Sequence, residues 1–269
     1  MPSSSSNQGE ENEIFLKALL TKHFRLGLEL IGAPTEIIII RELSFGPDTE
    51  VPVWTNELSQ LLDEKKYEEL KEIFPKAKTS FKADLSINGI NYSVKFNGGA
   101  KPAIVNHTNR AGFLDVCTRI GVNIDKLDEL VANYWSLRIS NQIREDIDNS
   151  NPLSPFKDYQ EYLSPILEYF IFKGTGRGIS VFPADKVLIF QDTFDPHTYK
   201  IISESDIINE KWNDFRFSIR SKKGMPITVL PDGTKVDNYN PVRHALLAPW
   251  VRFHPPDHPF PKGALHVRV

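Results

Sequence analysis

The pair Asn88-Gly89 constrains the fold of this chain more than any other feature of its sequence. It stands in the middle of residues 81–96, where apolar and polar side chains alternate on both sides of it. Both central residues of a type I′ turn need positive φ, which Asn and Gly tolerate best. The segment therefore predicts a β-hairpin with a two-residue turn, in which Leu85 lies opposite Tyr92.

The predicted hairpin has one apolar and one polar face, because paired residues share a face and faces alternate along each strand. The apolar face comprises Phe81, Ala83, Leu85, Ile87, Ile90, Tyr92, Val94 and Phe96. The polar face comprises Lys82, Asp84, Ser86, Asn91, Ser93 and Lys95. In this register Ser93 lies opposite Asp84, and Lys95 lies diagonally from it at roughly 7–8 Å.

An acid and a lysine at this spacing are suited to metal-assisted cleavage of a phosphodiester. The acid holds a divalent cation, which activates water and neutralises charge on the phosphate, and the lysine stabilises the charge that develops in the transition state. The same pattern is also that of the solvated face of an amphipathic hairpin, since Asp and Lys are common at protein surfaces.

The remaining patterns indicate an α/β fold, with α+β as the alternative, built on a central mixed β-sheet flanked by helices. Apolar spacings of three and four predict helices at 11–31, 54–74 (with Thr55 as N-cap) and 113–144 with a break near Gly121. Strands are predicted at 36–43, 166–172, 186–191, 215–220 and 227–230, and a polar loop at 97–112.

The organisation predicted along the chain is a disordered tail at 1–12 followed by a single domain at 13–269. Within that domain, 13–148 is the helical and catalytic part, and 149–269 is β-rich and basic. The net charge is -3, but 211–269 holds ten Lys and Arg against four Asp and Glu. This asymmetry suggests a basic, DNA-binding surface on an acidic body, although it is also typical of an ordinary solvated face.

Composition favours a cytoplasmic protein. No apolar run reaches the roughly 18 residues that span a bilayer, and the Ser-rich, acidic start has no apolar core of the kind found in signal peptides. The single cysteine, Cys117, excludes an internal disulfide and a cysteine-built zinc site.

The hairpin, its helical flanks and the following polar loop resemble the PD-(D/E)xK nuclease superfamily, and more specifically the core of type II restriction endonucleases. Ala83-Asp84 matches the first half of the family motif, where proline often precedes the acid. Ser93-Val94-Lys95 matches the acid-spacer-lysine half, with Ser93 in place of the acid.

This resemblance implies catalytic roles for Asp84, Ser93 and Lys95 and a Mg²⁺ cofactor for which Mn²⁺ substitutes. Asp84 and Ser93 would be metal ligands. Because a neutral oxygen binds a hard cation more weakly than a carboxylate does, the site is expected either to hold a single metal or to recruit a carboxylate from the first helix, such as Glu13 or Glu29.

The resemblance also places the segment after the catalytic strand near DNA. Arg and Asn are the side chains that recognise guanine and adenine edges in the major groove, and Lys and Arg contact phosphates. The candidates for DNA binding are Lys101, Asn106, His107, Asn109, Arg110, Lys173, Arg177, Arg220, Lys222, Lys223, Arg243 and Arg252.

The function expected from the resemblance is that of a type II site-specific deoxyribonuclease, which cuts double-stranded DNA with Mg²⁺ and leaves 5′-phosphates. A homodimer suits the cutting of a palindrome, and a companion DNA methyltransferase is expected. The alternatives are a non-catalytic DNA-binding or interaction protein and a DNA-repair nuclease on the same fold.

Overall fold

A computed structural model describes residues 8–31, 37–74, 76–220, 228–229, 235–236 and 264–269. Its α-helices are α1 (Gln8–Leu26), α2 (Asn56–Asp63), α3 (Tyr67–Ile73), α4 (Arg110–Ile120), α5 (Asp125–Ile139), α6 (Gln160–Glu168) and α7 (Glu204–Lys211). Its strands are β1 (Glu29–Ile31), β2 (Ile37–Ile39), β3 (Leu43–Ser44), β4 (Leu85–Ile87), β5 (Ile90–Phe96), β6 (Ala103–Thr108), β7 (Ile147–Asp148), β8 (Gly174–Thr175), β9 (Gly178–Ile179), β10 (Lys186–Phe190), β11 (Lys200–Ser203), β12 (Arg216–Arg220), β13 (Thr228–Val229), β14 (Lys235–Val236) and β15 (Ala264–Arg268).

The chain forms two compact units, and each is assembled from separate stretches of sequence. The first unit comprises Met1–Pro102, Ile171–Gly174 and Ile179–Ile207. The second unit comprises Ala103–Phe170, Thr175–Gly178 and Ile208–Val269. The predicted hairpin and the acids proposed as metal ligands all belong to the first unit.

The first unit is built on a five-stranded sheet with the order β11-β10-β5-β4-β3. The sheet is mixed, because β5 and β10 run parallel while the other neighbouring pairs are antiparallel. The hairpin register predicted from Asn88-Gly89 is confirmed over β4 and β5, where Leu85 pairs with Tyr92. Asn88 and Gly89 have φ of 51° and 79°, as the turn requires.

Strand β5 is interior to this sheet, with β4 on one edge and β10 on the other. The apolar face of the hairpin joins the main core of the unit, in which Leu85 and Tyr92 are buried together with side chains of α1, α2 and α3. The opposite face is not fully solvated either: Ser93, which pairs with Val187 of β10, is only 2% exposed.

The second unit contains a four-stranded antiparallel sheet with the order β6-β15-β12-β7. Its core includes Phe156 stacked on Phe217 of β12, with ring centroids 4.3 Å apart. Strand β6 lies within residues 97–112, for which a loop was predicted. That prediction was wrong for 103–108, which pair with β15 and bury Ile104 and Val105.

Several predicted helices are shorter than their apolar spacing suggested, because single residues with positive φ end them. Gly27 (φ 62°) ends α1, and the Leu28 amide donates to the carbonyl of His23. Lys65 (φ 53°) separates α2 from α3, whereas the break between α4 and α5 at Gly121 (φ 71°) is as predicted. Thr55 caps α2 as predicted, since its Oγ1 accepts a hydrogen bond from the Leu58 amide.

Two further predictions differ from the structure. Residues 8–12, assigned to the tail, form the first turns of α1, where Glu10 is paired with Lys76. The strand predicted at 166–172 is instead the end of α6 followed by a wider helical turn at Tyr169–Lys173. An unbroken apolar run fits a buried helix as well as a buried strand, and its periodicity does not separate the two.

The architecture confirms the predicted mixture of helices and strands around a mixed sheet. Within the part of the chain that the structure describes, none of the helices combines the length and the apolar character needed to cross a membrane.

Candidate active site

Asp84 lies where the β4–β5 ladder ends. Its amide donates to the carbonyl of Tyr92 at 2.8 Å, and its Oδ2 accepts a hydrogen bond from the Val94 amide at 2.6 Å. The carboxylate thus takes the place that a backbone carbonyl would occupy if the ladder continued. The chain leaves β5 at this point because the amides of Lys82 and Ala83 both donate to the carbonyl of Phe182.

The electrostatic surroundings of Asp84 are unusual for a carboxyl group. Although the residue keeps part of its surface exposed, burial raises its pKa to about 6. Lys95 opposes this rise, as do the Val94 amide and Lys17, whereas Glu13 reinforces it. Asp84 therefore shares its surroundings with two lysines and a second acid, and holding it ionised requires positive charge nearby.

Lys95 is on β5, one residue beyond the amide that binds Asp84. Its Nζ donates to the carbonyl of Val94 at 3.2 Å, and its Cα pairs with that of Ile189 on β10. Lys95 on β5 therefore acts electrostatically on Asp84, which immediately precedes β4.

A third lysine, Lys82, belongs to the same cluster. Its pKa is lowered to about 8, chiefly by burial and then by the neighbouring Lys95, while Asp84 acts in the opposite direction. Lys82 lies on the polar face of the predicted hairpin, where the sequence pattern predicts no role for it. The signal available was its alternation with Asp84, since residues two apart on a strand share a face.

Helix α1 contributes an acid and a buried lysine. Lys17 has no exposed surface on its side chain, and its Nζ binds Glu13 Oε1 at 2.7 Å. The two residues are four apart, which places them one above the other on the helix. Both act on the carboxyl of Asp84, so this turn of α1 lies beside it. The signal for Lys17 was its place among the apolar residues of the helix.

These positions distinguish the two acids expected to complete a metal site. Glu13 lies beside Asp84, whereas Glu29 is an exposed residue of β1 paired with Ile39 and is not among the groups that act on Asp84. Over the described residues, no group of three or more histidines, cysteines and acids is arranged to hold a metal. Two carboxylates nevertheless suit Mg²⁺, which commonly binds one or two of them and completes its shell with water and substrate phosphate.

Ser93 stands between Tyr92 and Val94 on β5 and is almost fully buried. The predicted pairing of Ser93 with Asp84 is not part of the ladder, which ends at Leu85 and Tyr92. Among the contacts of the described residues, no hydrogen bond joins the Ser93 hydroxyl to Asp84. The role of Ser93 as an oxygen ligand stays a prediction.

The predicted DNA-contacting residues at 101–110 lie around β6 and the start of α4. Asn106 is exposed on β6, and His107 follows it on the same strand. Asn109 caps α4 by accepting from the Gly112 amide, and Arg110 forms a forked ion pair with Asp128. Lys101 lies in the segment that connects β5 to β6 and is half-buried. Asn109 and Arg110 therefore also have structural roles.

The other predicted DNA contacts are more dispersed. Lys173 is exposed and paired with Glu204 at 3.0 Å, and Arg177 is exposed on the turn between β8 and β9. Arg220 is the last residue of β12, where only its backbone is described. Lys222, Lys223, Arg243 and Arg252 lie outside the described residues.

Comparison of the chain with models of known protein families, with curated protein sequences and with solved structures found no match in any of the three.

Proposed function

We propose that this chain is a Mg²⁺-dependent endonuclease acting on double-stranded DNA, of the type II restriction kind that its hairpin motif resembles. One observation carries the proposal: the carboxyl group of Asp84 is partly buried beside Lys95 and Glu13, which come from β5 and α1. An acid pair next to a lysine is suited to holding a divalent cation and a phosphate together.

In this proposal Asp84 and Glu13 hold the metal, with Ser93 as a further candidate ligand. When bound, Mg²⁺ supplies positive charge to the phosphate and makes water more acidic. Lys95 stabilises the negative charge that builds up on the phosphate oxygens, and Lys17 keeps Glu13 in place through its ion pair. The Val94 amide orients one oxygen of Asp84.

The test is to incubate the purified chain with phage DNA in Mg²⁺ and, separately, in EDTA. The proposal predicts discrete fragments with 5′-phosphate ends in Mg²⁺ and intact DNA in EDTA. A smear in Mg²⁺ would retain the nuclease chemistry but remove the site specificity. Intact DNA in both would contradict the proposal.

A second candidate function is non-catalytic binding of DNA or of another partner. The hydrogen bond from the Val94 amide favours it, because that bond gives Asp84 a purely structural role at the end of the ladder. The two functions separate in one variant. Asp84→Asn keeps the hydrogen-bond acceptor and removes the charge. DNA binding by this variant is expected to persist whether the chain is a nuclease or a non-catalytic binding protein. DNA cleavage is lost only if Asp84 is catalytic.

A further inference from the structure

The ammonium group of Lys82 belongs to the Asp84 cluster, where Lys95 and Asp84 act on it electrostatically. The backbone amide of Lys82 is fixed by the carbonyl of Phe182 at 3.0 Å and by Ser180 Oγ at 3.1 Å. Within the described part of the chain, its Nζ makes no hydrogen bond or ion pair. The residue is half-buried, so part of its side chain is withdrawn from water.

The charges around it do not balance. The cluster holds three lysines, Lys17, Lys82 and Lys95, against two carboxylates, Glu13 and Asp84. Glu13 is paired with Lys17, so Asp84 alone opposes both remaining ammonium groups. Like charges that are partly withdrawn from water repel each other more strongly than at a free surface. An anion bound beside these lysines would offset the excess of positive charge.

We propose that Lys82 and Lys95 form a phosphate-binding pair, and that Lys82 is a substrate-binding residue of the candidate active site. A phosphate group suits the pair because its several oxygens accept from two ammonium groups at once, and its charge offsets the excess. A phosphodiester carries one negative charge and a terminal phosphate nearly two, so the pair holds the 5′-phosphate of a cut strand more tightly than an uncut one.

This inference rests on the proposed function only in assigning the phosphate to a nucleic acid. The anion site itself can be measured without any cleavage. The probe is inorganic phosphate, titrated into the full chain by calorimetry in the presence of EDTA. Wild-type protein is expected to bind one phosphate per chain.

The variants are Lys82→Gln, Lys82→Arg and, as a matched control, Lys66→Gln, which alters an exposed lysine of the same unit. Lys82→Gln is expected to weaken phosphate binding about tenfold or more, the effect of losing one charge-assisted hydrogen bond. Lys82→Arg keeps the charge and should retain most of the binding, and Lys66→Gln should leave it unchanged. Thermal unfolding of each variant verifies that it is folded.

Equal phosphate binding by wild-type protein and folded Lys82→Gln would overturn the inference, as would the absence of phosphate binding by the wild type. If Lys82→Gln does not fold, the test passes to Lys82→Arg. Because this variant keeps the positive charge, loss of phosphate binding in it would also overturn the inference. Phosphate binding that depends on Lys82 in a protein that never cuts DNA would leave the anion site standing and remove the proposed function. If the wild type cuts DNA but does not bind phosphate, the proposed function stands and the anion site is overturned.

Discussion

Two acids of the first unit, Asp84 and Asp185, occupy closely similar positions in the sheet and differ in their surroundings. Each follows an alanine, each comes immediately before a strand, and each carboxylate accepts a hydrogen bond from a backbone amide of β5. Asp84 accepts from Val94 at 2.6 Å, and Asp185 accepts from Asn91 at 2.9 Å. In sequence, Pro183-Ala184-Asp185 also looks like a first acid before a strand, but no acid-spacer-lysine pattern follows it at a useful distance.

The difference lies in burial and charge. Asp185 is exposed, and its backbone amide returns a hydrogen bond to the carbonyl of Asn91, so it closes the start of the parallel β5–β10 pair. Asp84 is withdrawn from water beside Lys95, Lys82 and Glu13. A backbone hydrogen bond alone thus indicates a structural role. The cluster of opposed charges around Asp84 is what favours chemistry there, and Asp185 becomes the natural control.

The largest effect is expected from removing the charge of Asp84. Asp84→Asn keeps an oxygen for the Val94 amide and removes a proposed metal ligand, so Mg²⁺-dependent cleavage of supercoiled plasmid should fall by about 10²–10³-fold or more. Asp185→Asn makes the same change at the matching position and should cut at close to the wild-type rate. Similar losses in both variants would mean that the two acids act only on the structure of the sheet.

A loss of about 10²–10³-fold in single-turnover rate is expected for Lys95→Met, because the charge that stabilises the transition state is removed while the aliphatic stem is kept. The control is Lys186→Met. Lys186 is on β10 and pairs with Tyr92, which lies on the same strand as Lys95. The rates come from gel analysis of plasmid with enzyme in excess. An unchanged rate in Lys95→Met would exclude this lysine from the chemistry.

A smaller change is expected from the second acid. Glu13→Gln should raise the Mg²⁺ concentration needed for half-maximal cleavage by about 10–100-fold, since one of two charged ligands becomes neutral. Glu29→Gln, at the exposed position on β1, should leave it unaltered. A shift caused by Glu29→Gln instead would assign the second ligand to β1.

The smallest effect concerns stability. The pKa of Asp84 is about 6 in the folded chain against 3.8 for an ordinary aspartate. The stability that comes with its protonated form is therefore fully present below about pH 4 and is lost as the pH rises through about 6. In EDTA, the free energy of unfolding of Asp84→Asn should exceed that of the wild type by an amount that grows from near zero below about pH 4 to on the order of 1–3 kcal/mol above about pH 6.

Urea denaturation from about pH 4 to 8 measures this difference. A constant gap at every pH would mean that the Asp84 carboxyl does not titrate differently in the folded and unfolded states. Adding Mg²⁺ at neutral pH should stabilise the wild type and leave Asp84→Asn unaffected, because a ligand stabilises only the state that binds it.

The parts of this structure that were predictable from sequence are those fixed by local backbone chemistry. Asn88-Gly89 specified the turn and the pairing of β4 with β5 because few residues tolerate its dihedral angles. Thr55 marked the start of α2 because its hydroxyl can accept a hydrogen bond from an amide of the first helical turn, here that of Leu58. The α1 prediction ran too far and the 54–74 helix was not divided, since an apolar repeat continues through residues such as Gly27 and Lys65 at which the helix ends, whereas the break near Gly121 was predicted.

The site was predictable only in outline. Alternation along the hairpin brought Asp84 and Lys95 to one cluster, but it gave no indication that β4 would separate from β5 at Leu85, or that Asp84 would bind a backbone amide. Those features depend on the carbonyl of Phe182, about a hundred residues later. Lys17 and Lys82 were missed for the same reason: their burial is a property of tertiary packing, not of local pattern.

The central claim is that Asp84, and not Asp185, holds a divalent cation. The most direct measurement is titration with Mn²⁺, followed by the loss of the free-ion signal in electron paramagnetic resonance, for wild type, Asp84→Asn and Asp185→Asn. Mn²⁺ should bind to wild type and Asp185→Asn with similar affinity, and Asp84→Asn should lose this binding. Equal binding by all three proteins, or a loss confined to Asp185→Asn, would contradict the claim.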